Sequence, residues 1–188
     1  MAFGPRSRVV GIDDAPFGAR AGSRVMVVGV LMSGHRVHGV MTTRVVRDGL
    51  RATASLRTML TTGRLANQAQ AVVLDGVAVG GFNVIDLPAL SQGIGAPVVA
   101  VMRRRPDFEA IRRALAKTRH ADRRWCTMQR AGEIHEGDGV LFQVAGASVV
   151  EARGILEHAS EDGGYPEALR IAHLVGGAVR TGASRGGA

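Results

Sequence analysis

The first quarter of the chain consists of the short β-branched runs that are typical of strands. Three such runs follow one another, each bounded by Gly, Pro or Asp, and each is too short for a buried helix. Asp14-Ala15-Pro16 ends the first run, because proline lacks an amide donor and has a fixed φ. We therefore expect a three-stranded antiparallel meander formed by residues 8–13, 24–33 and 35–46.

After residue 50 the apolar positions recur every three or four residues in segments that alternate with short buried strands. This pattern predicts a helix, strand, helix, strand and helix over residues 51–61, 69–74, 82–93, 97–102 and 107–117. Beyond residue 124 it predicts a strand at 140–144 and helices at 149–158 and 167–179. We expect a single α/β domain over residues 1–180, with a Gly/Ser-rich tail at 181–188.

The composition favours a globular protein of the cytoplasm. The chain has 188 residues, of which 46% are hydrophobic, so it can bury a sizeable core. Its longest apolar run, 25–32, is far shorter than the roughly 20 residues that cross a bilayer, and we expect no membrane partner. A single cysteine, Cys126, excludes an intrachain disulfide and a Cys-rich zinc site, and we expect it to be a buried structural thiol.

The basic charge of the chain is concentrated in one stretch. The chain has 24 Lys and Arg against 16 Asp and Glu, and 23 of these cations are Arg. Codon bias in a GC-rich genome and phosphate recognition both explain the preference for Arg over Lys. Residues 103–124, however, contain nine cationic and three acidic side chains, a net charge of +6. This stretch is the candidate for contact with nucleic acid.

The single lysine, Lys117, excludes several nucleotide-driven mechanisms. A P-loop requires Gly-x4-Gly-Lys-Ser/Thr, whereas Leu115 and Ala116 precede Lys117. A Schiff-base lysine needs apolar surroundings that lower its pKa, and Lys117 lies in the basic stretch.

Three acidic positions follow predicted strands: Asp13 with Asp14, Asp48, and Asp75. Ligands of α/β sheets gather at the carboxyl ends of the strands, so acids placed there converge if the strands are parallel. Clustered carboxylates repel one another, and a dication such as Mg²⁺ relieves that repulsion. Such a site suits phosphodiester hydrolysis. The alternative is that these residues only cap turns and helices, as Asp commonly does.

The order of the predicted elements, with acids after the first and fourth strands, resembles the ribonuclease H-like fold. The motifs resemble the DUF99 (UPF0215) family, also called endonuclease dU, which is itself similar to endonuclease V. They span nearly the whole chain in order: GIDDAPF at 11–17, DGLRAT at 48–53, VVLDGVAVGGFNVID at 72–86, APVVAVMR at 96–103 and YPEALRIAHL at 165–174. This resemblance implies an α/β, ribonuclease H-like (endonuclease V-like) mixed sheet, in which the meander is followed by αβαβα and C-terminal helices.

The resemblance also implies which residues bind metal. Asp13 matches the first-strand metal aspartate of endonuclease V, and Asp75 matches its fourth-strand Asp-Gly aspartate. Endonuclease V has a glutamate as its third acid, and Asp48 is the substitute in this chain. Family members usually have Asp where this chain has Arg51, which puts metal binding and activity in question. We expect Asp13, Asp48 and Asp75 to be the catalytic and metal-binding residues, with Mg²⁺ or Mn²⁺ as cofactor.

Further residues are expected to support this site. Those expected to orient the metal ligands are Asp14, Asn83, Asp86 and His173. Those expected to contact nucleic acid are Arg103, Arg104, Arg105, Arg112, Gly80, Gly81 and Phe82. Arg103 falls near a lysine of endonuclease V, and the glycines allow close approach of a DNA backbone.

The sequence thus predicts a metal-dependent endonuclease that cleaves DNA containing a deaminated base, with uracil as one candidate, in DNA repair. Two alternatives remain open. The first is a nucleic-acid-binding protein of the same fold with weak or no catalysis, and the second is a hydrolase of small phosphoesters. Only the last would not need the basic stretch.

Overall fold

A mixed sheet of seven strands forms the centre of the protein in this computed structural model. The structure describes residues 3–4, 6–20, 22–137, 139–160 and 164–185. The strand order is β3-β2-β1-β4-β7-β9-β8, and β5 pairs with β6 in a separate small ribbon. The strands are β1 Val9–Asp14, β2 Arg24–Ser33, β3 Arg36–Val46, β4 Ala71–Asp75, β5 Ala78–Val79, β6 Asn83–Val84, β7 Val98–Met102, β8 His135–Gly137 and β9 Val140–Ala145. Strands β1, β4 and β7 are parallel to one another, whereas β2, β3, β9 and β8 pair in antiparallel fashion.

The described residues contain six helices, four of which pack on the two faces of the sheet. They are α1 Ala52–Thr61, α2 Leu87–Ile94, α3 Phe108–Leu115, α4 Ala121–Gln129, α5 Val149–Ala159 and α6 Glu167–Thr181. Helices α1 and α2 pack on the face that carries Val10 and Ile12, and α5 and α6 pack on the opposite face. No described helix has the length and apolar character needed to cross a membrane.

The predicted meander and the αβαβα series are confirmed. The helix predicted at 82–93 begins only at Leu87, because Asn83–Val84 pairs with Ala78–Val79 and the Asp86 side chain caps the helix by accepting from Ala89 N. Helix α4 and strand β8 were not predicted, since both are short and mostly polar. Cys126, expected to be buried, is exposed. Residues 186–188 of the predicted tail lie outside the described residues.

Gly11 brings α6 unusually close to β1. A Cβ atom at Gly11 would lie 2.4 Å from the carbonyl carbon of Ala168 and 2.5 Å from the Leu169 nitrogen. Only glycine permits this approach, because the neighbouring atoms belong to helix backbone. The contact fixes α6 against the strand that ends in Asp13 and Asp14.

Candidate active site

Asp13 and Asp75 lie side by side at the carboxyl edge of the sheet. Ile12 of β1 is in register with Leu74 of the parallel strand β4, so the next residues of the two strands are neighbours. The Asp13 side chain is buried, with 7% of its residue surface exposed, whereas Asp75 is exposed. The structure thus brings together the two acids that the motifs single out.

The surroundings of Asp13 disfavour the ionised form of its carboxyl group. Burial, and then the negative charge of Asp75, raises the pKa of Asp13 to about 6, although a hydrogen bond with His173 opposes the increase. Burial also raises the pKa of Asp14, and the charge of Asp75 adds to this effect. Negative charge at this edge is therefore costly unless a cation compensates it.

His173 reaches Asp13 from α6. Its Nδ1 lies 2.9 Å from Asp13 Oδ2, while Asp13 Oδ1 accepts a hydrogen bond from the Asp14 amide at 2.7 Å. Gly176 lets α6 pass close to the chain after β1, since a Cβ there would lie 3.0 Å from the Ala15 Cα. Both oxygens of Asp13 are held in place and keep free lone pairs.

Asp14 and Asp48 hold the glycine loop at 80–82. The Gly80 amide donates to Asp14 Oδ2, and the Phe82 amide donates to Asp48 Oδ1 at 2.8 Å. Asp48 has a positive φ of 53° and forms an ion pair with Arg47 at 3.3 Å. Two amides of this loop are therefore already hydrogen-bonded within the protein, and Asp48 stabilises the loop through one of these bonds.

Asn83 and Asp86 stabilise backbone segments around the site. Buried Asn83 accepts from the Ala52 amide at 3.0 Å and donates to the Val46 carbonyl at 3.2 Å. Asp86 pairs with Arg130 at 2.9 Å in addition to capping α2. Within the described chain, neither side chain hydrogen-bonds to Asp13 or Asp75.

Tyr165 is a site residue that the sequence reasoning did not single out, although it opens the YPEALRIAHL motif. Burial raises the pKa of its phenol, and the charge of Asp75 and a hydrogen bond with that carboxylate add to the increase. The guanidinium of Arg103 lies over the Tyr165 ring, 4.1 Å from its centroid. Tyr165 therefore joins Asp75 to the first arginine of the basic stretch.

The other arginines of the basic stretch differ in their surroundings. Arg104 is exposed, Arg105 lies 3.7 Å from Glu136, and Arg112 lies over the Trp125 ring at 5.6 Å. Arg124 is buried and donates to the backbone carbonyls of Asp48 and Arg119. It stabilises the loop after β3 and is not available to phosphate.

The residues at the edge fit a magnesium ion. Mg²⁺ is commonly bound through one or two carboxylates, with waters and substrate phosphate completing the octahedron, and Asp13 and Asp75 supply two carboxylates. Their mutual repulsion is what a dication would relieve. Among the described residues, no three or more His, Cys, Asp or Glu side chains are placed to bind one metal ion together. The fit rests on the pair of carboxylates.

The hydroxyl of Tyr165 should matter for metal binding. Tyr165→Phe keeps the ring beneath Arg103 and removes the group that bonds to Asp75, so we expect Mn²⁺ affinity to fall about 10-fold. Tyr165→Leu removes both contacts and should lower Mn²⁺ affinity at least as much. Titration calorimetry with Mn²⁺ measures both effects. Equal Mn²⁺ affinity of Tyr165→Phe and wild type would contradict this role.

The overall structure is similar to proteins of known architecture. A protein of unknown function from Archaeoglobus fulgidus has a crystal structure that superposes with a TM-score of 0.86 at 34% identity, covering 93% of this chain and 98% of that one. Endonuclease V from Ciona intestinalis, crystallised with DNA containing an inosine, superposes with a TM-score of 0.54 at 12% identity, covering 88% and 82% of the two chains. The fold is therefore endonuclease V-like, as expected.

The sequence comparison agrees with the structural one. A UPF0215 protein of Methanothermobacter thermautotrophicus is 41% identical over 187 residues, which cover 96% of this chain and 91% of that protein. The family described as Endonuclease dU matches residues 5–180. The chain therefore belongs to the endonuclease dU (UPF0215) family.

Proposed function

We propose that this protein is a metal-dependent endonuclease that hydrolyses a phosphodiester bond in DNA containing a deaminated base, with uracil as the first candidate. The observation that carries this proposal is the pairing of Asp13 and Asp75, where a buried carboxylate has a pKa of about 6 beside a second acid. Family membership supports a nuclease that acts on damaged DNA. The DNA with inosine in the Ciona endonuclease V complex supports the class of substrate.

The residues at the edge have separable tasks in this proposal. Asp13 and Asp75 would hold Mg²⁺ or Mn²⁺, which supplies charge neutralisation at the phosphate and activation of water. His173 keeps the Asp13 carboxylate in one orientation through its Nδ1. Arg103, whose guanidinium lies over the Tyr165 ring, would bind a phosphate next to the carboxylates.

A second candidate function is nucleic-acid binding with weak or no catalysis. It is favoured by the state of Asp48, whose carboxylate is engaged by the Phe82 amide and by Arg47. If the third acid is required for the reaction, the two remaining carboxylates would bind metal but support little hydrolysis.

A nicking assay tests the proposal. Oligonucleotides with a single uracil or hypoxanthine, as single strands and duplexes, are incubated with the wild type and Mg²⁺ or Mn²⁺. We expect cleavage near the altered base, and a loss of at least about 100-fold in Asp75→Asn because that substitution removes a metal-binding charge. Glu157→Gln removes the same charge from an exposed position of α5 and serves as the matched control.

Two outcomes would overturn the proposal. One is binding without cleavage of any of these substrates by the wild type, which would favour the second candidate. The other is equal cleavage by Asp75→Asn and Glu157→Gln, which would place the catalytic centre elsewhere.

A further inference from the structure

A wide groove opens beside the last turn of α6, at the same edge of the sheet as Asp13. It has a volume of about 450 Å³ and lies between the end of α6, the loop after β1 and the adjoining ends of β2 and β3. We call it the α6 groove, and its charged lining residues are Arg20, Arg24, Arg44 and Arg180. No acidic residue is among the described residues that line it.

The strand pairing explains why the groove is open. Met26 of β2 is opposite Arg44 of β3, and Arg24 is opposite Val46, so Arg24 and Arg44 lie on one face. This is the face on which α6 covers Val28 and Val30 further along β2. The helix passes over that part of the sheet and ends beside the strand ends, which leaves them accessible.

The arginines of the α6 groove differ from several arginines elsewhere in the chain that are paired with carboxylates. Arg47, Arg105 and Arg130 each have a carboxylate within 4 Å, as do Arg113 and Arg170. Arg20, Arg24, Arg44 and Arg180 are exposed and form no ion pair or hydrogen bond through their side chains with residues that the structure describes. Four like charges around one cavity repel one another, so their arrangement does not serve stability. A polyanion would offset the repulsion.

The position of the groove relative to the acids suits an extended ligand. Helix α6 carries His173 at the Asp13 carboxylate and Arg180 at the groove, and seven residues of helix advance about 10 Å. In the sheet, β2 and β3 lie on one side of β1 and β4, and β7 with Arg103 lies on the other. The two acids are thus flanked by arginine on both sides.

The groove also has apolar walls at its rim. Phe17 is 37% exposed and Val179 is 67% exposed, and both line the groove. The guanidinium of Arg47 lies 5.7 Å from the centroid of the Phe17 ring. Proteins bind single-stranded nucleic acid through grooves that combine an exposed aromatic ring, on which a base stacks, with arginines that bind phosphates. The α6 groove combines the Phe17 ring with four lining arginines that have no carboxylate partner among the described residues.

We propose that the α6 groove binds the phosphate backbone of the nucleic acid on the side of the active site opposite Arg103. This inference rests on the proposed function, since it extends the path of the substrate strand. Arg24, Arg44 and Arg180 contact phosphates a few nucleotides from the cleaved bond, and Phe17 supports an adjoining base.

The test measures binding without cleavage. The double variant R24Q/R44Q is compared with R36Q/R64Q, which removes the same charge from exposed arginines outside the groove. Anisotropy of labelled uracil-containing single strands and duplexes is followed in EDTA over a range of salt concentrations. We expect R24Q/R44Q to bind about 10-fold more weakly at low salt, with a slope of log Kd against log salt reduced by about 1.5 to 2. R36Q/R64Q should match the wild type.

A length series sharpens the test. When the oligonucleotide is shortened on one side of the uracil, the wild type should lose affinity at the length where phosphates no longer reach the groove. R24Q/R44Q should show no loss of affinity at that length. Equal melting temperatures of the two double variants and the wild type would show that the substitutions leave the fold intact.

Equal Kd values and salt slopes for the two double variants would overturn the inference. A second result would also overturn the inference. If R24Q/R44Q binds nucleic acid as the wild type does but loses the binding of polyglutamate that the wild type shows, the groove would be a site for an acidic protein. The binding measurements do not require hydrolysis. They can therefore contradict the groove inference independently of whether the nicking assay contradicts the proposed nuclease activity.

Discussion

Asp13→Asn should lower nicking by at least about 100-fold and at the same time make the metal-free protein more stable at neutral pH. The loss of activity follows from the proposed function, in which Asp13 is one of two carboxylates that would hold the metal. The gain in stability follows from the environment of Asp13, in which burial and the charge of Asp75 disfavour its ionised form. A substitution that lowers activity and raises stability is typical of a functional residue whose native environment destabilises the folded state.

The stability effect of Asp13→Asn has a defined pH dependence. The pKa of Asp13 rises from an ordinary value of 3.8 to about 6 on folding, so the folded state binds the proton more tightly than the unfolded state. The ionisation of Asp13 therefore costs almost no stability below about pH 4, and the penalty grows between about pH 4 and 6 and stays constant above that range. Two pKa units correspond to about 3 kcal/mol, which is an upper limit for the gain in the variant at pH 7.5.

Thermal melting in EDTA at pH 4 and pH 7.5 measures this effect. We expect the melting temperature of Asp13→Asn to exceed that of the wild type by several degrees at pH 7.5, and by little or nothing at pH 4. Saturating Mg²⁺ should raise the melting temperature of the wild type, so that the difference in melting temperature between Asp13→Asn and the wild type at pH 7.5 becomes smaller. A variant that is less stable than wild type at pH 7.5 would show that the Asp13 charge is well compensated within the protein.

Gly11→Ala should destabilise the fold by about 3 kcal/mol although it adds only one methyl group. That methyl would lie 2.4 Å from the Ala168 carbonyl carbon and 2.7 Å from the Ala168 Cβ, so helix α6 must move away from β1. Because α6 carries His173, the same shift should separate His173 from Asp13 and lower activity in the protein that remains folded.

Gly154→Ala in α5 is the matched control for this glycine. A Cβ at Gly154 would have no neighbouring atom within 4 Å, so the change should stabilise the helix by about 0.5 to 1 kcal/mol. Urea denaturation of both variants gives the two free energies. Similar stability of Gly11→Ala and wild type would mean that α6 can shift without loss of packing.

The two central carboxylates could be predicted from the sequence because their positions depend on local patterns. A short apolar run that ends in Asp places the acid at a strand end, and two parallel neighbouring strands bring such acids together. The runs 8–13 and 69–74 place Asp13 and Asp75 at strand ends, the resemblance to endonuclease V singles out these two acids, and the structure places Asp13 beside Asp75. Helix α6 was predictable for a similar reason, since Pro166 precedes a long amphipathic segment.

The roles of Asp48 and Tyr165 could not be predicted in the same way. Asp48 follows a strand, as Asp13 does, yet its carboxylate accepts from the Phe82 amide, 34 positions further along the chain. Tyr165 meets Arg103 across more than sixty residues. Neither contact has a local signature, because each depends on how loops from separate strands pack.

The sequence by itself determined the meander, the αβαβα series and the strand-end positions of Asp13 and Asp75, because hydrophobic periodicity and strand ends are local properties, and its motifs identified the family and the pair of acids. Only the tertiary structure decided which charges are free. Arg124 is buried on the carbonyl of Asp48, while Arg24, Arg44 and Arg180 face an open groove without a carboxylate among its described lining residues. Residues of the same type thus differ in function because burial and the distance to an opposite charge are set by packing between distant segments.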